Sequence, residues 1–138
     1  MTTIESNHEL LGQPVSVIFN YLSNFNNFGK LMPSQVTNWK STEEKCSFTI
    51  QGLADIELNI QKKLQDEFIR IGATGKTPVP FALIWKFDKQ SEVNTNVCLV
   101  IEAELNPMMS MMVKAPLQNF VNMLVQKLKE YSDSGLIA

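Results

Sequence analysis

The sequence has little of the chemistry that a disulfide framework or a metal centre requires. Its 138 residues include two cysteines and one histidine. Cys46 and Cys98 belong to no CxxC motif and to no Cys/His pattern with the spacing of metal ligands. We therefore expect two buried, reduced thiols and no cofactor.

The chain also lacks a strong charge of either sign. Twelve basic and 14 acidic residues give a net charge of −2, and no basic stripe is present that would bind a phosphate backbone. No apolar run is long enough to span a bilayer. The first twenty residues lack the basic start of a secretory signal. These absences predict a cytoplasmic protein without a nucleic-acid partner and without stable membrane insertion; the oligomeric state stays open.

The remaining composition is that of a folded domain. Hydrophobic residues make up 44% of the chain and charged residues 19%, which is typical of globular proteins. A chain of this length can bury a substantial core. We expect one domain over residues 1–138, with its core at about 2–131 and a short C-terminal tail at 132–138.

The N-terminal region changes its hydrophobic period from two to that of a helix. Residues 2–11 alternate, so we expect a strand with Ile4, Ser6, His8 and Leu10 on one face. From Pro14 to Phe25 an apolar stripe recurs at helical spacing. A second short helical piece is expected before Pro33 ends it.

Strand-like runs separated by turn residues occupy the middle of the chain. We predict antiparallel neighbours joined by short connections. The runs are 36–41, 46–50, 54–62, 68–73, 80–88 and 95–105.

A long helix is expected from Pro107 to about Tyr131. Its second half carries an apolar stripe that includes Leu117, Phe120, Leu124 and Leu128. Before Pro116 the pattern differs, because methionines surround the axis, and Pro116 is expected to kink or divide the helix. The methionines either line a cavity or its mouth, or fill core space.

The order strand, helix pair, strands, long helix indicates an α+β fold with helices on one face of an antiparallel sheet. It resembles the helix-grip fold of the START-like superfamily, which includes the birch-pollen-allergen-like proteins and the polyketide cyclase/dehydrase group. The resemblance covers residues 2–131. It rests on the alternating TTIESNHELL, on PVSVIFNYLSNFNNFGKLMP, and on PMMSMMVKAPLQNFVNMLVQKLKEY.

The resemblance implies a curved sheet of about six to seven strands around the C-terminal helix, two short helices after the first strand, and an internal apolar cavity. Members of the superfamily bind lipids, sterols or other apolar ligands, and some catalyse cyclisation. No catalytic residue carries over to this chain. Together with the alternation, the resemblance assigns a set of ligand-binding residues: Phe19, Leu58, Leu83, Trp85, Phe87, Leu99, Ile101, Met108 and Met112.

Polar residues allow weaker alternatives. His8 could move a proton or orient a polar ligand head, or be a structural histidine. The carboxylate pairs Asp55/Glu57 and Glu102/Glu104 lie opposite apolar faces, so we expect them in solvent rather than in a glycosidase-like site. The segment GATG at 72–75 lacks the spacing and the following helix of a phosphate loop.

Three functions compete. The first is a carrier or sensor of a small apolar or amphipathic ligand, lipid-like or polyketide-like, in a nearly all-apolar cavity. The second is a cyclase- or dehydratase-type enzyme, which requires convergent polar groups beside His8. The third is a co-chaperone-like interaction module, for which a collapsed cavity and a large exposed apolar patch are expected. The absence of a catalytic motif favours binding over catalysis.

Conservative replacement of Cys46 and Cys98 together should leave binding of an apolar ligand nearly unchanged, because neither thiol belongs to a reactive motif. Fluorescence titration of the parent and the double variant with the same apolar probe measures this. A folded double variant that no longer binds would contradict the prediction.

Overall fold

The computed structural model describes residues 2–34, 36–50, 54–74, 80–135 and 137. Its helices are α1 (Val15–Leu22), α2 (Phe25–Phe28), a 3-10 turn (Gly29–Leu31) and α3 (Pro107–Asp133). Its strands are β1 (Thr2–Glu5), β2 (Glu9–Leu11), β3 (Val36–Ser41), β4 (Lys45–Ile50), β5 (Ala54–Leu64), β6 (Phe68–Thr74), β7 (Phe81–Ser91) and β8 (Asn94–Ala103).

All strands of the described residues join one antiparallel sheet in the order β1-β8-β7-β6-β5-β4-β3, and β2 also pairs with β8. From β3 to β8, each strand lies beside the next strand in sequence, as short connections favour. The sheet curves around α3, and α1 and α2 follow the first strand. The predicted α+β architecture is therefore confirmed.

The first strand is interrupted by a bulge, which corrects the predicted alternation. Ile4 pairs with Ile101 and Leu11 with Thr95, so one extra residue lies on this strand between β1 and β2. Because side chains alternate with a period of two, one extra residue reverses the faces beyond it. His8 is consequently exposed and Leu10 is 49% exposed, whereas Leu11 is fully buried.

The bulge is held by its own side chains and by α3. The backbone N–H of Leu99 donates to Ser6 Oγ at 2.8 Å, and Ser6 N–H donates to the Leu99 carbonyl at 2.9 Å. The Asn7 N–H donates to Asn122 Oδ1 at 2.8 Å. The serine side chain therefore restores a ladder bond that the extra residue would remove.

The short helices support the other edge of the sheet. Asn24 caps α2 by accepting the Asn26 N–H at 2.9 Å. The Trp39 ring stacks on Phe28 and on Phe48, with centroids 6.3 Å and 5.4 Å apart. Position 29 must be glycine for this packing, because a Cβ there would lie 2.5 Å from the Trp39 indole nitrogen. Trp39 is thus half-buried in an aromatic stack.

The helix α3 packs on the concave face of the sheet mainly through its second half. Val121, Leu124, Val125 and Leu128 are all 0% exposed. Leu117 and Phe120, which were predicted on the same buried face, are half-buried against the same core. Burial of this face holds the helix in place, since apolar area removed from water contributes about 25 cal/mol per Å².

The helix runs through Pro116 from Pro107 to Asp133, so the predicted boundary at Pro116 is wrong, while a kink there stays a prediction. Pro116 is exposed, so water can satisfy the carbonyl that its missing N–H leaves free. In the segment 132–138, expected as a short C-terminal tail, Ser132 and Asp133 belong to α3 and Ile137 is 4% exposed in the core.

Replacing Leu124 by alanine should destabilise the protein by about 2–5 kcal/mol, because the side chain is fully buried and its loss leaves a cavity. Urea unfolding measures the change. Met123→Ala is the control, since Met123 is 44% exposed on the same helix and should change stability by less than about 0.5 kcal/mol. Equal values for the two variants would show that α3 is not packed as described.

Candidate functional site

The two ends of the concave face differ in packing. At one end α1 lies against β6 and β7. There the Phe19 and Phe87 rings meet edge to face at 6.0 Å, and the Phe28 and Trp85 rings do so at 5.9 Å. Trp85 is 0% exposed. This end is filled by side chains.

The opposite end lies where α3 begins. Phe81 at the start of β7 pairs with Ala103 at the end of β8, and Thr2 pairs with the same Ala103. Thr2 Oγ1 donates to Ser110 Oγ at 3.2 Å, which places the first turns of α3 beside this end. We call it the open end, because its apolar concave residues are only partly covered: Ile50, Ile56, Ala73, Phe81 and Leu105.

The residues of α3 that precede its buried stripe, towards the open end, are identified by counting back from Val121. Leu117, Val113 and Met109 precede Val121 at steps of four residues, and all three are half-buried. We call Met109, Val113, Leu117 and Phe120 the inner row. Leu117 and Phe120 pack against the main core, and Val113 and Met109 are half-buried in the two preceding turns.

The methionines chosen from the sequence lie elsewhere on the helix. Met108 is 72% exposed and Met112 is 71% exposed, and Met111 is 84% exposed. Met108 and Met112 are therefore not packed in the core, and their place at a cavity or its mouth stays a prediction. Their row lies out of phase with the stripe that continues into the second half of α3, so it faces solvent.

The other predicted ligand residues lie together in the main core. Each of them is at most 8% exposed. They are Phe19, Leu58, Leu83, Trp85, Phe87, Leu99 and Ile101. Their contact with a ligand stays a prediction. The structure brings these seven together and separates them from Met108 and Met112.

Val113 is the inner-row residue that was not predicted from the sequence, whereas Leu117 and Phe120 were expected on the buried face. The signal was present in the sequence. Stepping back four residues from Leu117 gives Val113, about 40° from Leu117 around the helix axis, and four more give Met109, about 80° from it.

Two shallow depressions lie on the described surface, and the second reaches Ala73 and Phe81 at the open end. One, of about 330 Å³, is bordered by Lys40, Lys45 and Glu57. The other, of about 230 Å³, is bordered by Arg70, Glu102 and Glu104. Both have charged rims and are open to solvent. Neither has the largely apolar, enclosed form of a small-molecule site.

Three buried side-chain polar atoms have no partner among the described residues: Asn59 Oδ1, Trp85 Nε1 and Ser132 Oγ. The indole N–H of Trp85 is fully buried and makes no hydrogen bond. A buried donor without an acceptor costs about 1–3 kcal/mol, and tryptophan N–H groups usually find a partner when buried. The atom could therefore donate to a water or to a polar atom of a ligand.

Within the part of the chain that the structure describes, the exposed polar residues offer no convergent catalytic set on the concave side. His8 lies on the outer face of the sheet, where its Nε2 is 2.7 Å from Glu5 Oε2 and its Nδ1 is 3.0 Å from Asn96 Nδ2. Glu102 pairs with Arg70 at 3.1 Å, and Asp55, Glu57 and Glu104 are exposed. The histidine predicted to face inward is thus separated from the apolar face by the sheet itself.

Comparisons with solved structures decide the fold. A START superfamily protein from Mycobacterium smegmatis superposes with a TM-score of 0.76 at 10% identity, covering 96% of this chain and 97% of that one. The Aha1 dimer structure from Colwellia psychrerythraea gives 0.71 at 13% identity, covering 98% of both chains. This chain has the START-like helix-grip fold.

A third helix-grip structure belongs to a two-domain protein. The di-domain ARO/CYC protein BexL from the BE-7585A biosynthetic pathway gives a TM-score of 0.68 at 14% identity, over 96% of this chain and 48% of that chain. No family model matches the sequence, and no curated protein matches it. Within the described residues, no helix of this helix-grip domain is long and apolar enough to cross a membrane.

Both thiols lie in apolar surroundings of the helix-grip sheet. Burial raises the pKa of Cys46 to about 12, while a backbone hydrogen bond from Leu58 lowers it. Burial also raises the pKa of Cys98, and the nearby Glu5 carboxylate raises it further, whereas Lys86 lowers it. Neither thiol is activated as a nucleophile.

The free energy of unfolding should fall as pH rises from about 8.5 towards about 12, because the Cys46 thiol has an ordinary pKa near 8.5 in the unfolded chain. In this range the folded protein keeps the thiol proton while the unfolded chain loses it. The stability that Cys46 contributes is therefore complete below about pH 8.5 and decreases above it. At pH 10 the free energy of unfolding is lower by about 2 kcal/mol from Cys46 alone. Urea unfolding at several pH values should show a flatter dependence for Cys46→Val; an unchanged slope would contradict the assignment.

Proposed function

We propose that the protein binds a small apolar or amphipathic ligand, as a cytoplasmic carrier or sensor, between the inner row of α3 and the open end of the sheet. The observation that carries the proposal is the half-covered apolar surface at this end, to which Phe81 and Ile56 of the sheet and Leu117 of the helix belong. Val113 is half-buried one turn before Leu117. A ligand placed there removes apolar area from water, worth about 25 cal/mol per Å² before the costs of association.

The first half of α3 is the wall that can move to admit the ligand. None of the described side chains from Pro107 to Pro116 is buried, whereas four in the second half are 0% exposed. Thr2 and Ser110 make the side-chain hydrogen bond that joins this half to β1. A segment with few buried apolar contacts opens at lower free energy than the helix half that packs on the sheet.

The buried Trp85 N–H favours a ligand with at least one hydrogen-bond acceptor. Trp85 lies four residues beyond Phe81 along β7, about 13 Å into the concave face. An elongated ligand that enters at Phe81 and displaces core side chains would present its acceptor there. The ligand class is accordingly lipid-like or polyketide-like rather than a pure hydrocarbon.

Val113→Glu should weaken binding of a fluorescent fatty-acid analogue by at least about tenfold, because a carboxylate at the inner row must be desolvated when the ligand binds. Met112→Glu is the matched control, since it adds the same charge to the neighbouring position, which is 71% exposed. Fluorescence titration gives both affinities, and circular dichroism checks that both variants fold.

The Met112→Glu control also distinguishes ligand binding from a second candidate function, the binding of another protein. Met108, Met111 and Met112 form an exposed apolar patch, which favours a co-chaperone-like surface for another protein. In that case no apolar probe binds the parent. If the two glutamate variants bind the probe equally well, the site is not at the inner row and the ligand proposal is wrong.

A further inference from the structure

The bulge in the first strand brings three metal-ligating side chains of different chemistry together. Glu5, His8 and Cys98 each direct one ligand atom to a common point, and these atoms lie within 4.8 Å of one another. Among the described residues, no other group of three histidine, cysteine or carboxylate side chains converges in this way. Cys98 is 4% exposed and forms the floor, while the Glu5 and His8 side chains are half-exposed above it.

The bulge is the reason that the three side chains share a face. Regular alternation would turn His8 to the concave side with Ile4, but the extra residue turns it to the outer side, over Cys98 on β8. Bulges often re-aim a side chain at a functional site. Here the re-aimed residue is the only histidine of the chain.

The support around the bulge is fixed by hydrogen bonds from outside the trio. Gln118 Nε2 donates to the Glu5 carbonyl at 2.8 Å, and Asn122 Oδ1 accepts the Asn7 N–H at 2.8 Å. Both come from α3, so the ligands on this strand are held by a helix as well as by β8. Because the backbone of this strand is already held in place, its ligand residues need little further ordering when an ion binds.

Asn96 completes the arrangement around the imidazole. Its side-chain amide lies 3.0 Å from His8 Nδ1. The amide oxygen and nitrogen can exchange places by rotation, so Asn96 Oδ1 can accept a proton from Nδ1. That leaves Nε2, the atom 2.7 Å from Glu5, free to coordinate an ion, as in metal sites where a second residue orients the histidine.

We propose that Glu5, His8 and Cys98 form a binding site for a zinc-class divalent cation on the outer face of the sheet. A thiolate, an imidazole and a carboxylate are the ligand types that zinc takes, with a water as the fourth ligand. Zinc ligand atoms lie roughly 3–4 Å apart, so small side-chain movements suffice to close the trio on one ion.

Binding is charge-balanced. The cation replaces the thiol proton of Cys98, which is released to solvent, and the Glu5 carboxylate and the new thiolate together neutralise the two positive charges. His8 coordinates in its neutral form. The bound ion ties β1 and the bulge to β8, so the folded state gains stability while the inner row of α3 is untouched.

The test uses full-length, reduced, metal-free protein titrated with Co²⁺ and with Zn²⁺ alone. We expect one Co²⁺ per chain with a near-ultraviolet thiolate charge-transfer band, competition by Zn²⁺, and a higher unfolding temperature with Zn²⁺. Cys98→Ser should abolish the thiolate band. Cys46→Ser is the matched control, because Cys46 is an equally buried thiol outside the trio, and it should bind as the parent does.

If Cys98→Ser does not fold, His8→Gln is the variant that tests the proposal. The His8 side chain is half-exposed, so its replacement should leave the fold intact. His8→Gln should weaken Co²⁺ binding by at least about 100-fold, since even contacts behind a ligand are worth about 10- to 100-fold. Binding that lacks the thiolate band, that exceeds one ion per chain, or that is equal in parent and His8→Gln overturns the proposal. The trio would then be an ion pair over a buried thiol.

Discussion

The structure depends on the burial of one face of α3 against the concave side of the sheet. Val121, Leu124, Val125 and Leu128 lose all contact with water there. The same surface receives α1 at the filled end through Phe19 and Phe87. Because the apolar stripe weakens towards Pro107, the helix covers the sheet fully at one end and partly at the other. The candidate ligand site is a consequence of that unequal coverage.

Much of the architecture could be predicted because most segments show one clear period. The alternation in β7 and β8 and the helical stripe after Pro116 each identify their element and its buried face. The order of these elements then restricts the fold, since successive strands joined by short connections form an antiparallel sheet.

The errors came from features that depend on contacts distant in sequence. The bulge that reverses His8 and Leu10 is defined by the register against β8 and by Ser6, and neither is visible in local alternation. The approach of Glu5 and His8 to Cys98 likewise requires the pairing of strands from opposite ends of the chain.

Amide hydrogen exchange along α3 tests the central claim most directly, since it measures coverage segment by segment. The account predicts fast exchange at 108–115 and slow exchange at 121–131 in the free protein. It also predicts that a fatty-acid analogue slows exchange at 108–115 and at the start of β7. Equal protection along the whole helix, unchanged by the analogue, would contradict the claim that α3 covers the sheet unequally and that a ligand binds where coverage is incomplete.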